Sequence, residues 1–294
     1  MTGIGRRHGP GKSARLPWTD ASRPVTSPSL LAPARVHLAY WWRHRRRLRL
    51  AEPRLFTEWV QHRKLFGRDP RWPVLADKVA VKALVADALG PDWVIPTLWH
   101  GSALPAAPPG PLPLVVKARH GCGQVAFVRT RADWSVAMRQ ARRWRDRRYG
   151  RWLDEWAYAH VPLGLLVEPY VGTGPVLPVD YKCFVFGGRV EFVQVHLDRA
   201  GAHRWVVMDR HWRRVSPAGA DPDPAAPASL ARIVAAAETL ARGHDFLRAD
   251  FYEVAGRPLF GELTLYPGSG LLPVEPPALD RRMGDHWARA RVGR

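Results

Sequence analysis

Apolar residues recur three and four positions apart through Val74-Leu75-Ala76-Asp77-Lys78-Val79-Ala80-Val81-Lys82-Ala83-Leu84-Val85, a spacing that predicts one helix ending near Gly90. The period then shortens. Residues 94–96 and 114–117 are short β-type runs, separated by a Pro/Ala/Gly loop over 104–113, and residues 125–129 read as a returning strand. A very basic helix is predicted over 133–147 and a buried strand over 165–171. Two hairpins follow. Asp180–Phe186 and Arg189–Leu197 flank Gly187-Gly188, a dipeptide suited to a tight turn, and Phe246–Val254 pairs with residues 259–265 around Ala255-Gly256-Arg257. Between them lie a strand over 204–208 and a helix over 228–242. The chain shows no internal repeat.

Composition narrows the class. Of 294 residues, 46% are hydrophobic and 14 are Trp, enough apolar mass for a folded core rather than a disordered polycation. No run reaches the roughly 18 apolar residues of a membrane-spanning helix, and the first residues lack an apolar signal core, which predicts a cytoplasmic protein. Cys122 and Cys183 have neither disulfide-scaffold nor zinc spacing.

The net charge is +19, but 39 of the 45 basic residues are Arg, a bias that GC-rich coding produces without selection for function. Each of the six lysines is correspondingly more informative, and Lys78, Lys82, Lys117 and Lys182 fall inside patterned segments. Residues 1–54 carry +10 of the charge. Residues 1–51 therefore read as a basic, largely disordered leader, with a candidate amphipathic helix over 36–50 for an anionic membrane surface or acidic polymer. Gly11-Lys12-Ser13 imitates the end of a phosphate-binding P-loop, but Arg6 stands where the first Gly belongs and Pro10 removes a backbone donor. Asp221-Pro222-Asp223 matches a metal-dependent glycosyltransferase signature without an adjoining strand. His196, His203 and His211 lack metal spacing and read as packing residues.

Two places can carry chemistry. Lys117 ends a strand and precedes the loop Gly121-Cys122-Gly123-Gln124, which suits phosphate binding through backbone N–H groups and equally suits an ordinary strand connection. The second hairpin sets Arg248-Ala249-Asp250 beside Glu262-Leu263-Thr264. With a three-residue loop, Asp250 lies opposite Glu262 at a cross-strand spacing of about 5 Å. Carboxylates that close call either for a divalent cation, Mg²⁺ being the usual one beside nucleotide phosphates, or for neutralisation by Arg248.

The order of these blocks resembles the ATP-grasp superfamily, and more closely its TupA-like branch. The likeness rests on Leu75-Ala76-Asp77-Lys78, Lys117 with His120-Gly121, Asp180-Tyr181-Lys182, Arg248-Ala249-Asp250-Phe251-Tyr252, and Phe260-Gly261-Glu262-Leu263-Thr264 before Tyr266-Pro267-Gly268-Ser269-Gly270, across roughly 52–286. The resemblance implies an α+β ATP-grasp domain over 52–290, with the nucleotide between a lid subdomain over 112–165 and a metal-binding sheet over 166–272. It implies ATP and Mg²⁺ as cofactors. Lys117 and Lys182 would hold phosphates, Gly121 and Gly123 would lie in the lid loop, and Glu168 and Tyr170 would border the adenine. Asp250, Glu262 and Thr264 would be the metal ligands, Thr264 standing where the superfamily usually has Asn, and Lys182 and Arg248 the catalytic cations. The implied reaction is ADP-forming ligation of a carboxylate to an amine through an acylphosphate. The implied setting is cell-envelope or capsular polymer synthesis, with an acidic polymer or small carboxylate as acceptor and an amine as donor. A phosphotransferase or glycosyltransferase on the same scaffold and a basic nucleic-acid binder are the alternative classes; no specific nucleic-acid signature is present.

Overall fold

In the computed structural model, residues 31–146, 149–150, 152–172, 174, 177–197, 204–218 and 222–292 are described. The chain enters through α1 (Ala32–His44) and α2 (Phe56–Phe66), then α3 (Trp72–Ala76) and α4 (Ala80–Leu89). The single helix predicted from Val74 onward is thus two. Asp77 divides it, because its carboxylate accepts hydrogen bonds from the backbone N–H groups of Val79 and Ala80 and opens α4 as a side-chain cap would. The same carboxylate pairs with Arg119, at 2.7 Å from its Nε.

A four-stranded sheet follows, in the order β1 (Trp99–Gly101), β4 (Leu165–Pro169), β2 (Leu114–Ala118), β3 (Val125–Val128), antiparallel throughout. Helices α5 (Arg131–Arg145) and α6 (Trp156–Ala159) lie between β3 and β4 in the chain. The basic helix starts two residues before the predicted 133 because Thr130 and Asp133 form a capping box at its N-terminus. Alternation along β2 divides the labour of this sheet. Leu114 and Val116 pack with Val128, Val167, Trp134 and Ala137 under α5, which leaves Val115 and Lys117 to the other face. The domain division expected at 165/166 is corrected by the pairing of β4 with β2, Val167 opposite Val116: the strand bearing Glu168 belongs to the small sheet.

The larger sheet runs β7 (Arg204–Asp209), β6 (Arg189–Leu197), β5 (Asp180–Phe186), β8 (Phe246–Val254), β9 (Arg257–Thr264), again antiparallel. Helix α7 (Leu230–Leu240) packs along β5, β6 and β8. One face of this sheet changes character within a single strand. Phe184 and Phe186 join Phe246 in an aromatic cluster with Phe56 of α2 and Trp287 of α8 (Pro277–Val292), the Trp287 and Phe246 rings stacking at 4.4 Å. Lys182 and Asp180 continue the same face as a charged surface.

Neither α2 nor α8 is visible as an apolar stripe. The buried side of α2 includes Glu58, which accepts from the Arg54 and Leu55 N–H groups, and Gln61, Arg63 and Lys64, whose nitrogens donate to partners distant in the chain. Arg63 is the clearest case: its guanidinium donates to the Phe246 and Leu265 carbonyls, pairs with Asp245, and lies 4.3 Å from the Trp287 ring.

The leader differs from its expectation as well. Helix α1 begins earlier and ends earlier than the predicted 36–50 and packs on the body through buried Ala32, Val36 and Tyr40. It stops because Arg45 turns left-handed (φ 54°) and Arg46 swings inward to Asp280, 2.6 Å away. Asp280, 1% exposed, also accepts from the Thr57 N–H and hydroxyl, so residues 32–48 are tied to the domain by a buried charge. The Gly11-Lys12-Ser13 run, Asp221 and His203 lie outside the described residues. Asp223 is engaged by Arg214 in an ion pair.

Candidate active site

The hairpin β8–β9 sets the two carboxylates where the sequence puts them, by a different route. Its loop is the two-residue turn Ala255-Gly256, with Val254 opposite Arg257, and a bulge between Asp250 and Phe251 then takes up one extra residue of β9. That residue is Gly261. A Cβ there would meet the Asp250 carbonyl oxygen at 3.1 Å and the Tyr252 ring at 3.3 Å, so glycine lets the bulge close. Asp250 consequently stands opposite Glu262, and Lys182 of β5 stands opposite Asp250.

The resulting cluster is dense in charge. Lys182 Nζ lies 2.6 Å from Asp250 and 2.7 Å from Asp180. Arg248 makes a bidentate pair with Asp250, both contacts at 2.7 Å, and one of its terminal nitrogens also donates to Glu262 at 3.1 Å and to the Thr264 hydroxyl at 3.0 Å. Burial works against both cations, yet the Asp250 carboxylate and its acidic neighbours hold Lys182 and Arg248 above their ordinary pKa ranges, so both stay protonated. The arginine neutralisation weighed for this carboxylate pair is present, through Arg248. Asp250, Glu262 and Thr264 still form a set of hard oxygen donors on one sheet face, the chemistry that suits Mg²⁺ when nucleotide phosphates complete its shell. Among the described residues there is no group of three or more His, Cys, Asp or Glu side chains arranged to hold a metal without such help.

The small sheet faces this cluster with a second one. Glu168, buried on β4, is shared between Lys117 of β2, at 2.6 Å, and Lys82 of α4. Desolvation pushes Glu168 upward, but the two ammonium groups outweigh it and keep the carboxylate below its usual range. Lys117 is held above its ordinary value because Glu168 more than offsets burial, whereas in Lys82 desolvation wins and the value falls. Around them Ile95, Val115, Val125, Phe127, Tyr170 and Tyr252 line a pocket between the sheets. Val125 and Phe127 are 36% and 42% exposed there, an apolar surface open to a flat ligand, and the Phe127 and Tyr170 rings meet edge-on at 6.0 Å.

One lysine joins the clusters. Lys78, just after the Asp77 cap, donates to the Gly121 carbonyl in the glycine loop and lies 3.9 Å from Glu262. In that loop Gly123 adopts φ 72°, and buried His120 accepts a hydrogen bond from the Gly164 N–H through Nδ1 while Nε2 meets the Trp144 carbonyl. The candidates from sequence thus gather on two facing surfaces: Lys117, Glu168, Tyr170 and the Gly121–Gly123 loop on one, Lys182, Arg248, Asp250, Glu262 and Thr264 on the other.

A family model for TupA-like ATPgrasp proteins matches residues 58–288. The chain belongs to the TupA-like ATP-grasp family. The match begins inside α2, so α1 falls outside it. Among solved structures the chain is similar to a D-alanine–D-alanine ligase from Bacillus anthracis complexed with ATP, at 14% identity and a TM-score of 0.49, covering 75% of this chain and 67% of that one. It is also similar to an L-amino acid ligase from Bacillus licheniformis, at 14% identity and a TM-score of 0.46, covering 73% of this chain but only 49% of that one. A third is an ATP-grasp ligase, PsnB, in complex with a precursor variant, Mg and ADP, at 12% identity and a TM-score of 0.42, covering 76% of this chain and 60% of that one. No curated protein matches.

Around this candidate site, residues to which the sequence reading gave no site role complete the geometry. Lys82 is the second partner of Glu168, Lys78 bridges loop and sheet, and Asp180 flanks Lys182. Asp180 was findable, since alternation along β5 puts it on the Lys182 face; Lys82 was not, because its helix meets β4 only in the fold. Beside Lys182 and Arg248 opens a cavity of about 420 Å³, walled by Phe184, Gln194, Trp205 and the turn after Tyr266, and reached by Arg43 from α1. Cys122 is exposed on the glycine loop.

Proposed function

We propose that this chain is an ADP-forming ligase that joins a carboxylate to an amine through an acylphosphate, acting in cell-envelope or capsular polymer synthesis. The observation that carries the reading is the convergence of two cation–carboxylate clusters across one cleft, the Lys117–Glu168–Lys82 set on the small sheet and the Lys182–Asp250–Arg248–Glu262 set on the large one. Membership of the TupA-like ATP-grasp family supports it.

On this reading the adenine lies against Val125, Phe127 and Tyr170, bordered by Glu168 and Tyr252. Lys117 and Lys182 draw the phosphates into the cleft, and the Gly121–Gly123 loop closes over them with its backbone N–H groups. Asp250, Glu262 and Thr264 would hold Mg²⁺, whose charge offsets that of the transferring phosphoryl group. The acid enters from the cavity beside Arg248, which orients its carboxylate. One carboxylate oxygen then attacks the γ-phosphorus, the bond from that phosphorus to the β,γ-bridging oxygen breaks, and ADP leaves. The amine nitrogen attacks the acyl carbon, the C–O bond to phosphate breaks, and the nitrogen loses one proton as the amide forms. The protein contributes positioning and charge compensation throughout.

Purified protein with ATP, Mg²⁺ and a panel of acids tests this. Acid-dependent ADP release, with hydroxylamine diverting the product to a hydroxamate, is the expected result. ADP release that yields a stable phosphate ester and no hydroxamate would replace the ligase with a phosphotransferase.

A further inference from the structure

Helix α1 is apolar on two opposite sides. Ala32, Val36 and Tyr40, spaced by four, form the side buried against the domain. At 100° per residue, Leu31, Leu38, Trp41 and Trp42 centre on the opposite side, and they are exposed by 70%, 66%, 50% and 63%. A two-sided apolar helix is expected where both sides have something to cover them. The first side has the domain; the second faces away from it.

The charge around the second side selects its occupant. Residues 31–50 contain no Asp or Glu. Two of their arginines are used internally, Arg35 by Asp154 and Arg46 by Asp280. Arg43, Arg45, Arg47 and Arg49 remain exposed, the Arg45 guanidinium lying 5.7 Å from the Trp41 ring. Arg43 also donates to the Leu271 carbonyl. A second copy of the chain would bring the same four cations against themselves. An anionic bilayer offers what both features need, the headgroup–acyl boundary for the indoles and leucines and negative charge for the arginines.

We propose that α1 is an interfacial membrane-docking helix, inserting Leu31, Leu38, Trp41 and Trp42 at the surface of an anionic bilayer while Arg43, Arg45, Arg47 and Arg49 contact the headgroups. This surface lies outside the segment matched to the family and is independent of the ligase reading. It holds the cavity wall near the bilayer, because His44 and Arg43 bond the Gly270 and Leu271 carbonyls in the turn that bounds that cavity.

The test is flotation of the full chain with vesicles of phosphatidylcholine alone or with 30 mol% phosphatidylglycerol. Partitioning onto the anionic vesicles at least tenfold stronger than onto the neutral ones, and weakening as salt rises, is expected. Trp41→Ser with Trp42→Ser should reduce anionic partitioning at least tenfold, and Arg47→Glu with Arg49→Glu should remove the preference for anionic lipid. Quenching of tryptophan emission by lipids brominated high on the acyl chain reads the contact in the unsubstituted protein, independently of how any variant folds. Anionic partitioning that the tryptophan pair does not alter, or an absence of bromolipid quenching, would overturn the proposal. So would a dimer at micromolar concentration that the tryptophan substitutions dissociate, since a second copy would then cover this side.

Discussion

Glu168→Gln isolates the charge arrangement that supports the nucleotide side of the cleft. The substitution keeps the shape of a buried side chain that two lysines share, Lys117 at 2.6 Å and Lys82 on its other oxygen. The glutamine carbonyl oxygen can accept from one ammonium group, but its NH₂ then confronts the other. Lys82 retains the Ile95 carbonyl and the Thr97 hydroxyl, each at 2.7 Å, so the uncompensated charge falls mainly on Lys117. Removing one partner of a buried ion pair costs about 3–5 kcal/mol, against a total stability of about 5–15 kcal/mol for a typical domain. Urea unfolding without nucleotide should show that loss as a lower midpoint at unchanged slope, and Tm should fall by about 10 °C. Adding Lys117→Met to Glu168→Gln removes the orphaned charge and should recover part of the loss, giving a coupling of about 1–3 kcal/mol. A single-variant cost below about 1 kcal/mol, or purely additive effects, would show that the Lys82–Glu168–Lys117 triad does not hold the small sheet to α4 as described.

Mg²⁺ with ATP should raise Tm, because a ligand bound only by the native state adds about 2.7 kcal/mol at a hundredfold excess over its Kd; a melting curve indifferent to nucleotide would remove the basis of the proposed function. Glu262→Gln should leave the fold and most of the ATP affinity intact while cutting turnover by about a hundredfold or more, read as ADP release. Arg46→Ala should cost about 1–2 kcal/mol in urea unfolding, since it strips a charge-assisted hydrogen bond from buried Asp280; an unchanged midpoint would mean that α1 is not part of the folded unit. Burial raises Glu155 from 4.5 to about 7 and lowers Lys64 from 10.5 to about 8. Between pH 4.5 and 7 the native state holds a proton that the unfolded chain has released, so stability falls as pH rises; between 8 and 10.5 the unfolded chain holds the extra proton, so stability climbs. These two groups therefore contribute a dip in unfolding free energy near pH 7–8, against the opposite slope that His44, His62 and His286, all lowered by burial, contribute below pH 6.5. Glu155→Gln should make stability fall less, or rise more, between pH 4.5 and 7 than in the unsubstituted protein.

What could be read from the sequence was whatever depends on neighbours along the chain. Alternation along Asp180–Phe186, Phe246–Val254 and Arg257–Thr264 reflects the two-residue period of a strand, so both hairpins and the shared face of Glu262 and Thr264 were legible without coordinates, whereas the pairing that sets Lys182 beside Asp250 was not. The opposition of Asp250 and Glu262 was legible too, but through a turn one residue too long, an excess that the Gly261 bulge makes good. Where one side chain serves partners far away, the local signal misled. Asp77 sits in an apolar period and reads as mid-helix, yet it caps α4 and pairs with Arg119. Helix α2 buries Arg63 and Lys64, so no hydrophobic stripe marks it. Whether Asp250 and Glu262 meet a cation or an arginine could not be settled by spacing, because Arg248 satisfies both and spacing is blind to which charge fills a gap. Only the tertiary structure brings Lys82 to Glu168, Lys78 to Glu262 and Arg46 to Asp280, since a charge desolvated by folding takes its partner from whichever element the packing of the core delivers.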